Sequence, residues 1–178
     1  MSAGADDVSL SFRQAMRGLG ASVTIISTRS NCVRYGMVAT ATMSLSMDPP
    51  SMVVAINQGA SIHAPLIERG AFAVNILSNW DRSLAEGFAR ASGESRFAHG
   101  AWSLHTLPGD EQPLPYLANA VASVFCSVAD VLSSGTHSLI VGRVEAVVQH
   151  NDKSPLLYCD GDYGSFNALP RMAKVSAA

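Results

Sequence analysis

Apolar residues in this chain gather in short, dense runs, and few stretches show the three-to-four-residue spacing of an amphipathic helix. Ala21–Thr28 (ASVTIIST), Gly36–Met47, Ser51–Asn57 (SMVVAIN) and Phe72–Leu77 (FAVNIL) carry many β-branched residues and predict strands. SMVVAIN is apolar at successive positions, as expected of a strand buried on both faces. Pro49-Pro50 lack the N–H that a central strand must give, so they mark a turn or an edge. Arg29–Asn31 reads as a turn. Ala101–Thr106 predicts a short strand, after which Pro108-Gly109, Pro113 and Pro115 make the chain up to Leu117 a long surface loop. Two long strands are expected at Ala120–Leu132 and His137–His150, joined by a hairpin at Ser133–Thr136, and a last short one at Leu156–Tyr158.

Helical spacing appears in three places. Ser9 or Ser11 caps a short helix that puts Phe12, Met16 and Leu19 on one stripe and stops at Gly18 and Gly20. Gly59–Gly70 predicts a second, with Ser61 near its start, Pro65 in its first turn and Gly70 as a left-handed stop. Ser78-Asn79 leads into a third, with Trp80, Leu84 and Phe88 every four residues and Gly93 as its end. At least six strands with few helical crossovers predict a mainly β protein built as an antiparallel barrel. Residues 1–8 are expected to be a loose lead-in, 9–168 a single domain and 169–178 a flexible tail.

Composition sharpens this picture. The 178 residues are 48% hydrophobic, which excludes a disordered chain, and only 15% charged, so part of the surface is expected to be covered by a subunit interface. A net charge of −2 without a basic cluster gives no footprint for nucleic acid or an anionic membrane. Cys32, Cys126 and Cys159 are widely spaced, which suits reduced thiols in a cytoplasmic protein and no disulfide framework. The five histidines are not at ligand spacing, so no metal is expected. Gly18-Leu19-Gly20 lacks the third glycine of a dinucleotide fingerprint and precedes a strand, and no P-loop or nucleophile elbow is present.

One stretch stands out chemically. Thr40, Thr42, Ser44 and Ser46, interleaved with Ala39 and Ala41, form a row of small side chains that lets a flat ligand approach the backbone closely. Read from the residues alone, these hydroxyls serve equally well to bond neighbouring strands or water. His137 is a turn histidine or a ligand contact, and Arg96 a solvated cation or a planar donor for a phosphate. Phe72, Trp80 and Phe88 read as core.

The order G-M-x-A-T-A from Gly36, S-x-S at Ser44, D-P-P at Asp48, an apolar strand and Asn57 resembles the flavin-binding segment of short-chain flavin reductases. Ser61, FAVNIL after Gly70, Arg96-Phe97, Gly135-x-His137 and Gly161-x-Tyr163 continue the pattern across roughly Phe12 to Phe166. Val38 stands where many members have Thr, and Thr136 where many have Asp. The resemblance implies the split β-barrel, flavin-reductase-like FMN-binding fold. It implies flavin contacts at Val38, Ala39, Thr40, Ala41, Thr42, Ser44, Ser46, Asn57, Ser61, Arg96 and Phe97, and nicotinamide contacts at His137 and Tyr163. It further implies a homodimer that reduces FMN or FAD with NADH or NADPH and passes reduced flavin to a separate monooxygenase. No protein residue is then catalytic, because hydride passes directly between cofactors. Two alternatives share the fold: a non-catalytic flavin carrier or sensor, and a flavoenzyme that oxidises another bound substrate.

Overall fold

The computed structural model describes residues 3–169. In chain order the elements are α1 (Ala3–Arg17), β1 (Ala21–Ser22), β2 (Thr24–Ser30), β3 (Val33–Ala39), β4 (Thr42–Met47), β5 (Pro50–Asn57), α2 (His63–Arg69) and β6 (Ala71–Ile76). There follow α3 (Arg82–Arg90), a 3₁₀ helix (Gly93–Ala98), β7 (Trp102–His105), β8 (Leu114–Leu117), β9 (Ala122–Ser134), β10 (His137–Gln149), β11 (Leu156–Cys159) and β12 (Asp162–Ser165).

Seven strands form one antiparallel sheet in the order β3-β2-β6-β9-β10-β5-β4. Its two outermost strands, β3 and β4, are consecutive in sequence and separated only by Thr40 and Ala41. Val33–Met47 is therefore one long bent segment whose first half pairs with β2 and whose second half pairs with β5, and this closes the sheet into a barrel. The bend is held by the Ala55 N–H, which donates to the Ala41 carbonyl at 2.9 Å, and by the Thr42 N–H, which donates to Thr40 at 3.0 Å.

Alternate residues of the sheet point inward, where Ile26, Val54, Ile56, Phe72, Val74, Cys126 and Ile140 pack around Ile62 and Leu66 of the α2 region. Fully burying each such large side chain contributes about 1.5–3 kcal/mol. Burial also pushes the Cys126 thiol up to about 12, which leaves it protonated and inert. A second cluster joins the outer face of β2 to α3, the 3₁₀ helix and β11 through Val23, Ile25, Leu77, Phe88, Phe97 and Leu156. The third seats the β7–β8 ribbon on β6 and β9 through Ala73, Leu114 and Phe125. Gly36 is needed where β3 passes under α3, because a Cβ there would lie 2.7 Å from the Phe88 ring.

The barrel and most predicted strands are observed, with several corrections. The first helix begins at Ala3, so residues 3–8 are helical and Ser9 and Ser11 sit inside the helix. Turning occurs at Asn31-Cys32, both at positive φ, one residue beyond the expected turn. LPYL, expected to be loop, is β8; its proline, Pro115, is tolerated because it belongs to a two-stranded ribbon with a free edge. α3 ends at Arg90, and Gly93 opens the 3₁₀ helix. Trp80 precedes α3 and is 84% exposed, so it is not core, whereas Phe72 and Phe88 are. A further strand, β12, turns back from β11 at Asp160-Gly161, with φ of 51° and 89°. The tail expected over 169–178 lies outside the described residues apart from Leu169.

Among the described residues, β5 is fully covered on one face only. Leu132, Leu139 and Ala55 form one cross-strand row on the outside of β9, β10 and β5, while Val141, Val53 and Met43 form another. Leu139, Leu132 and Met43 are 40%, 51% and 59% exposed. On α1, Val8, Phe12 and Met16 are exposed as well, and so is Leu19 just beyond its end.

Candidate functional site

Thr40 and Ala41, at the bend where β3 becomes β4, are exposed, and so is Ser44 on β4. Val38 and Thr42 are half-buried, and the Ala39 side chain is in the core. Buried Thr24 fixes the end of β3 by donating its hydroxyl to the Ala39 carbonyl at 2.8 Å. The result is a small-residue shelf along the barrel seam. Ser46 drops out of it: its hydroxyl donates to the Asp48 carbonyl at 3.0 Å and accepts from the Asp48 N–H at 3.1 Å, so it serves the β4–β5 turn.

Register brings two more candidates to one side of the shelf. Ala41 is bonded to Ala55 of β5; two residues on, Asn57 lies directly opposite His137, the first residue of β10. Asn57 accepts the Gly59 N–H at 2.8 Å on its side-chain oxygen and shapes the loop that carries exposed Ser61 toward α2. The Gln58 N–H donates to the Thr136 carbonyl at 2.9 Å, which ties that loop to the β9–β10 turn. His137 is exposed, and its Nδ1 lies 2.9 Å from the Thr136 hydroxyl. Threonine thus orients the imidazole at the position where a carboxylate is common.

Tyr163 flanks the other side of the shelf. With Val23, Val38, Ala39, Thr40 and Tyr158 it lines a hollow of about 200 Å³. Its ring meets Tyr158 edge to face at 5.3 Å and the Arg82 guanidinium at 5.3 Å, and burial raises its hydroxyl pKa above the usual value. Tyr158 was not among the expected site residues. The Asp-Gly pair at 160–161 is a hairpin signal that places it opposite Tyr163.

Arg96 and Phe97 both have partners within the chain. Phe97 is a core residue, packed edge to face on Phe88 and Trp102 at 5.3 and 4.7 Å with the Arg34 guanidinium 4.6 Å from its ring. Arg96 donates to the Ala91 carbonyl at 2.8 Å and to the Gly36 carbonyl, so it pins the 3₁₀ helix to β3. Ser61 lies past the end of β5, and among the described residues no hydrogen bond joins it to Arg96. Glu94 on the same 3₁₀ helix accepts Arg34 Nε and a terminal nitrogen on one carboxylate oxygen, at 2.9 and 2.7 Å, and the Arg34 backbone N–H on the other at 2.8 Å, which holds its carboxyl below the usual range.

Exposed small residues beside a run of backbone amides fit a flat ring with hydrogen-bonding edges. Among the described residues no group of three His, Cys, Asp or Glu side chains is placed to hold a metal, and no helix is long and apolar enough to cross a membrane.

Comparison with known proteins agrees with this geometry. The chain is 34% identical over 163 residues to the FMN reductase (NADH) RutF of Escherichia coli, covering 91% of this chain and 94% of that protein. It is 32% identical over 161 residues to the reductase component of an FADH(2)-dependent resorcinol hydroxylase from a Rhizobium species, covering 89% and 87%. The styrene monooxygenase flavin reductase of Pseudomonas putida S12 superposes with a TM-score of 0.76 at 26% identity, covering 90% and 99%. Residues 16–167 match the family described as flavin reductase like domain, and the chain belongs to that family.

Proposed function

We propose that this protein is an NAD(P)H-dependent reductase of FMN or FAD that hands reduced flavin to a separate monooxygenase in the cytoplasm. The observation that carries the reading is the exposed shelf at Thr40–Ala41, flanked by Asn57 and His137 on one side and Tyr163 on the other. Relatives named as FMN reductase (NADH) and as a hydroxylase's reductase component support it.

A bound flavin supplies the two-electron acceptor and a reduced nicotinamide the hydride, so the protein's work is placement. Val38, Ala39, Thr40, Ala41 and Thr42 would hold the flavin ring, their small side chains letting it reach backbone donors that favour negative charge on its oxygens. Ser44 and Asn57 would border it, and Ser61 would take the phosphate. His137, with Nδ1 held by Thr136, would offer Nε2 to the nicotinamide cofactor, and Tyr163 would shield the opposite side from water. Arg96 acts on this site by holding β3 at Gly36.

We further propose a homodimer. The apolar rows outside β5 and β10, the exposed stripe on α1 and the low charged fraction all call for cover, and a second copy supplies it at the edge of the site.

The test mixes protein, NADH or NADPH, and excess FMN or FAD, and follows nicotinamide absorbance beside an Ala41→Leu variant. Many turnovers per protein are expected, with flavin affinity lost in the variant while its melting temperature barely moves, because Ala41 is exposed. Flavin binding without turnover would identify a carrier instead, and wild-type affinity in Ala41→Leu would put the ring elsewhere.

A further inference from the structure

The loop 58–62, between β5 and α2, is fastened at both ends, and the two fastenings differ in kind. At its start the hold is backbone: Asn57 pairs with His137 in the ladder, and the Gln58 N–H donates to the Thr136 carbonyl. At its end the hold is made by side chains. His63, the first residue of α2, sets its Nε2 2.9 Å from the Ser138 hydroxyl. Ser138 follows His137 on β10 but faces inward, where it is 1% exposed, and His63 is the one partner its hydroxyl has among the described residues. No side chain caps α2, because the cap position belongs to Ile62, which is itself buried in the barrel core. β10 is laddered to β5 and to β9 from its first residue, so it is rigid without this bond. The loop has no ladder of its own, and the His63–Ser138 bond therefore acts on the loop.

We infer that His63 is a positioning residue for the flavin phosphate, holding the Ser61 end of the loop against β10 through Ser138. The inference rests on the proposed reading in which Ser61 takes the phosphate, and adds to it the pair of side chains that sets the loop before flavin arrives. A phosphate held from a loop gains affinity when that loop is already still, because binding no longer has to order it. A flavin without a phosphate gains nothing from the same bond.

That contrast is the test. Flavin titrations of the full chain compare FMN with riboflavin, which has the same ring and no phosphate. The wild type should bind FMN more tightly, and His63→Ala and Ser138→Ala should each weaken FMN about tenfold while riboflavin affinity moves less than about twofold. The double variant should lose no more than either single one, since both remove the same bond. His63→Gln keeps a side-chain nitrogen for the hydroxyl and should recover part of the loss. Ser138→Ala deletes only an oxygen and leaves the ladder intact, so it reads the bond even where His63→Ala folds poorly. FMN and riboflavin weakened alike, FMN affinity within about twofold of wild type in Ser138→Ala, or losses that add in the double variant would each overturn the inference. Ser61→Ala judges the underlying reading by itself. If that variant leaves the FMN-to-riboflavin ratio unchanged, Ser61 does not take the phosphate; a ratio that still falls in Ser138→Ala then keeps the positioning role and assigns the phosphate to another donor on the fixed loop.

Discussion

The two walls of the barrel are made of similar residues and finished differently. β2 (TIISTRS) and β6 (AFAVNI) are buried at nearly every position, inside by the barrel core and outside by α3, the 3₁₀ helix, the β7–β8 ribbon and the β11–β12 hairpin. β5 and β10 alternate: Val54, Ile56 and Ile140 are fully buried, while Val53, Ala55 and Val141 are half-buried and Leu139 is exposed on the outer face, where the described residues leave them without full cover. An apolar strand therefore announces that both faces need cover without saying who provides it. On one wall the cover is the chain's own later segments; on the other we assign it to a second copy. His137 and Asn57 share the outer face of the bare wall, so the proposed assembly and the proposed chemistry would meet there, while the covered wall serves stability.

The largest effect that separates the walls should come from Phe72→Ala. This ring is fully buried on β6, and its removal should cost about 3–5 kcal/mol, read as a lower denaturation midpoint at unchanged slope. A loss below about 1 kcal/mol would mean that the covered wall is not the stabilising one. Leu139→Asp on the bare wall should instead leave monomer stability within about 1 kcal/mol and weaken self-association about a hundredfold by sedimentation. A wild-type sedimentation profile would show that this face is not the interface. Smaller still, His137→Ala should lower kcat/KM for NAD(P)H by roughly 5- to 150-fold, with flavin affinity within about twofold, in steady-state kinetics and a separate flavin titration. A large loss of flavin affinity would move His137 to the flavin. The smallest effect belongs to the Arg34–Glu94 clamp on the covered side. Its folded carboxyl is held below the ordinary value, so its stabilisation is present above that value and lost as pH falls through the lowered one. The half-exposed pair should contribute under about 1 kcal/mol, so the melting-temperature gap between wild type and Glu94→Gln should be small at neutral pH and should close as acid carries the solution through the lowered carboxyl value. A gap that persists in acid would show that packing, not charge, holds the 3₁₀ helix.

Barrel strands were legible in the sequence because β-branched runs such as TIIS and VVAI mark them whatever their partners are. LPYL was not, since Pro115 and the preceding Pro113 read as loop until the ribbon supplies a free edge. The start of α1 was obscured by Ser9 and Ser11, good caps in the abstract that fall mid-helix here. The shelf itself was legible as a row of small residues, and its resemblance to the flavin reductases named the ligand. That Thr40 and Ala41 are a bend, with Asn57 and His137 drawn up beside it, follows from pairing register between segments up to a hundred residues apart, and no local pattern encodes register. Arg96 and Phe97 sit together in the motif, yet one clamps a strand and the other fills a core, because a 3₁₀ turn sends neighbouring side chains to different surroundings.

The bend at Thr40–Ala41 is where the barrel is fastened and also where the ring is proposed to rest. Anything bound there braces the bend that joins the β2-paired and the β5-paired halves of one segment, and so resists the loss of either ladder. Ligand and fold are then thermodynamically coupled, with occupancy adding RT ln(1 + [L]/Kd) to the free energy of opening, about 2.7 kcal/mol at a hundredfold excess over Kd. Amide exchange across 40–42 and 54–56 should accordingly slow on adding flavin more than exchange in β2 or β6 does. A reductase that must let its product go then returns to its loosest form at each release, poised with its clasp open for the next flavin.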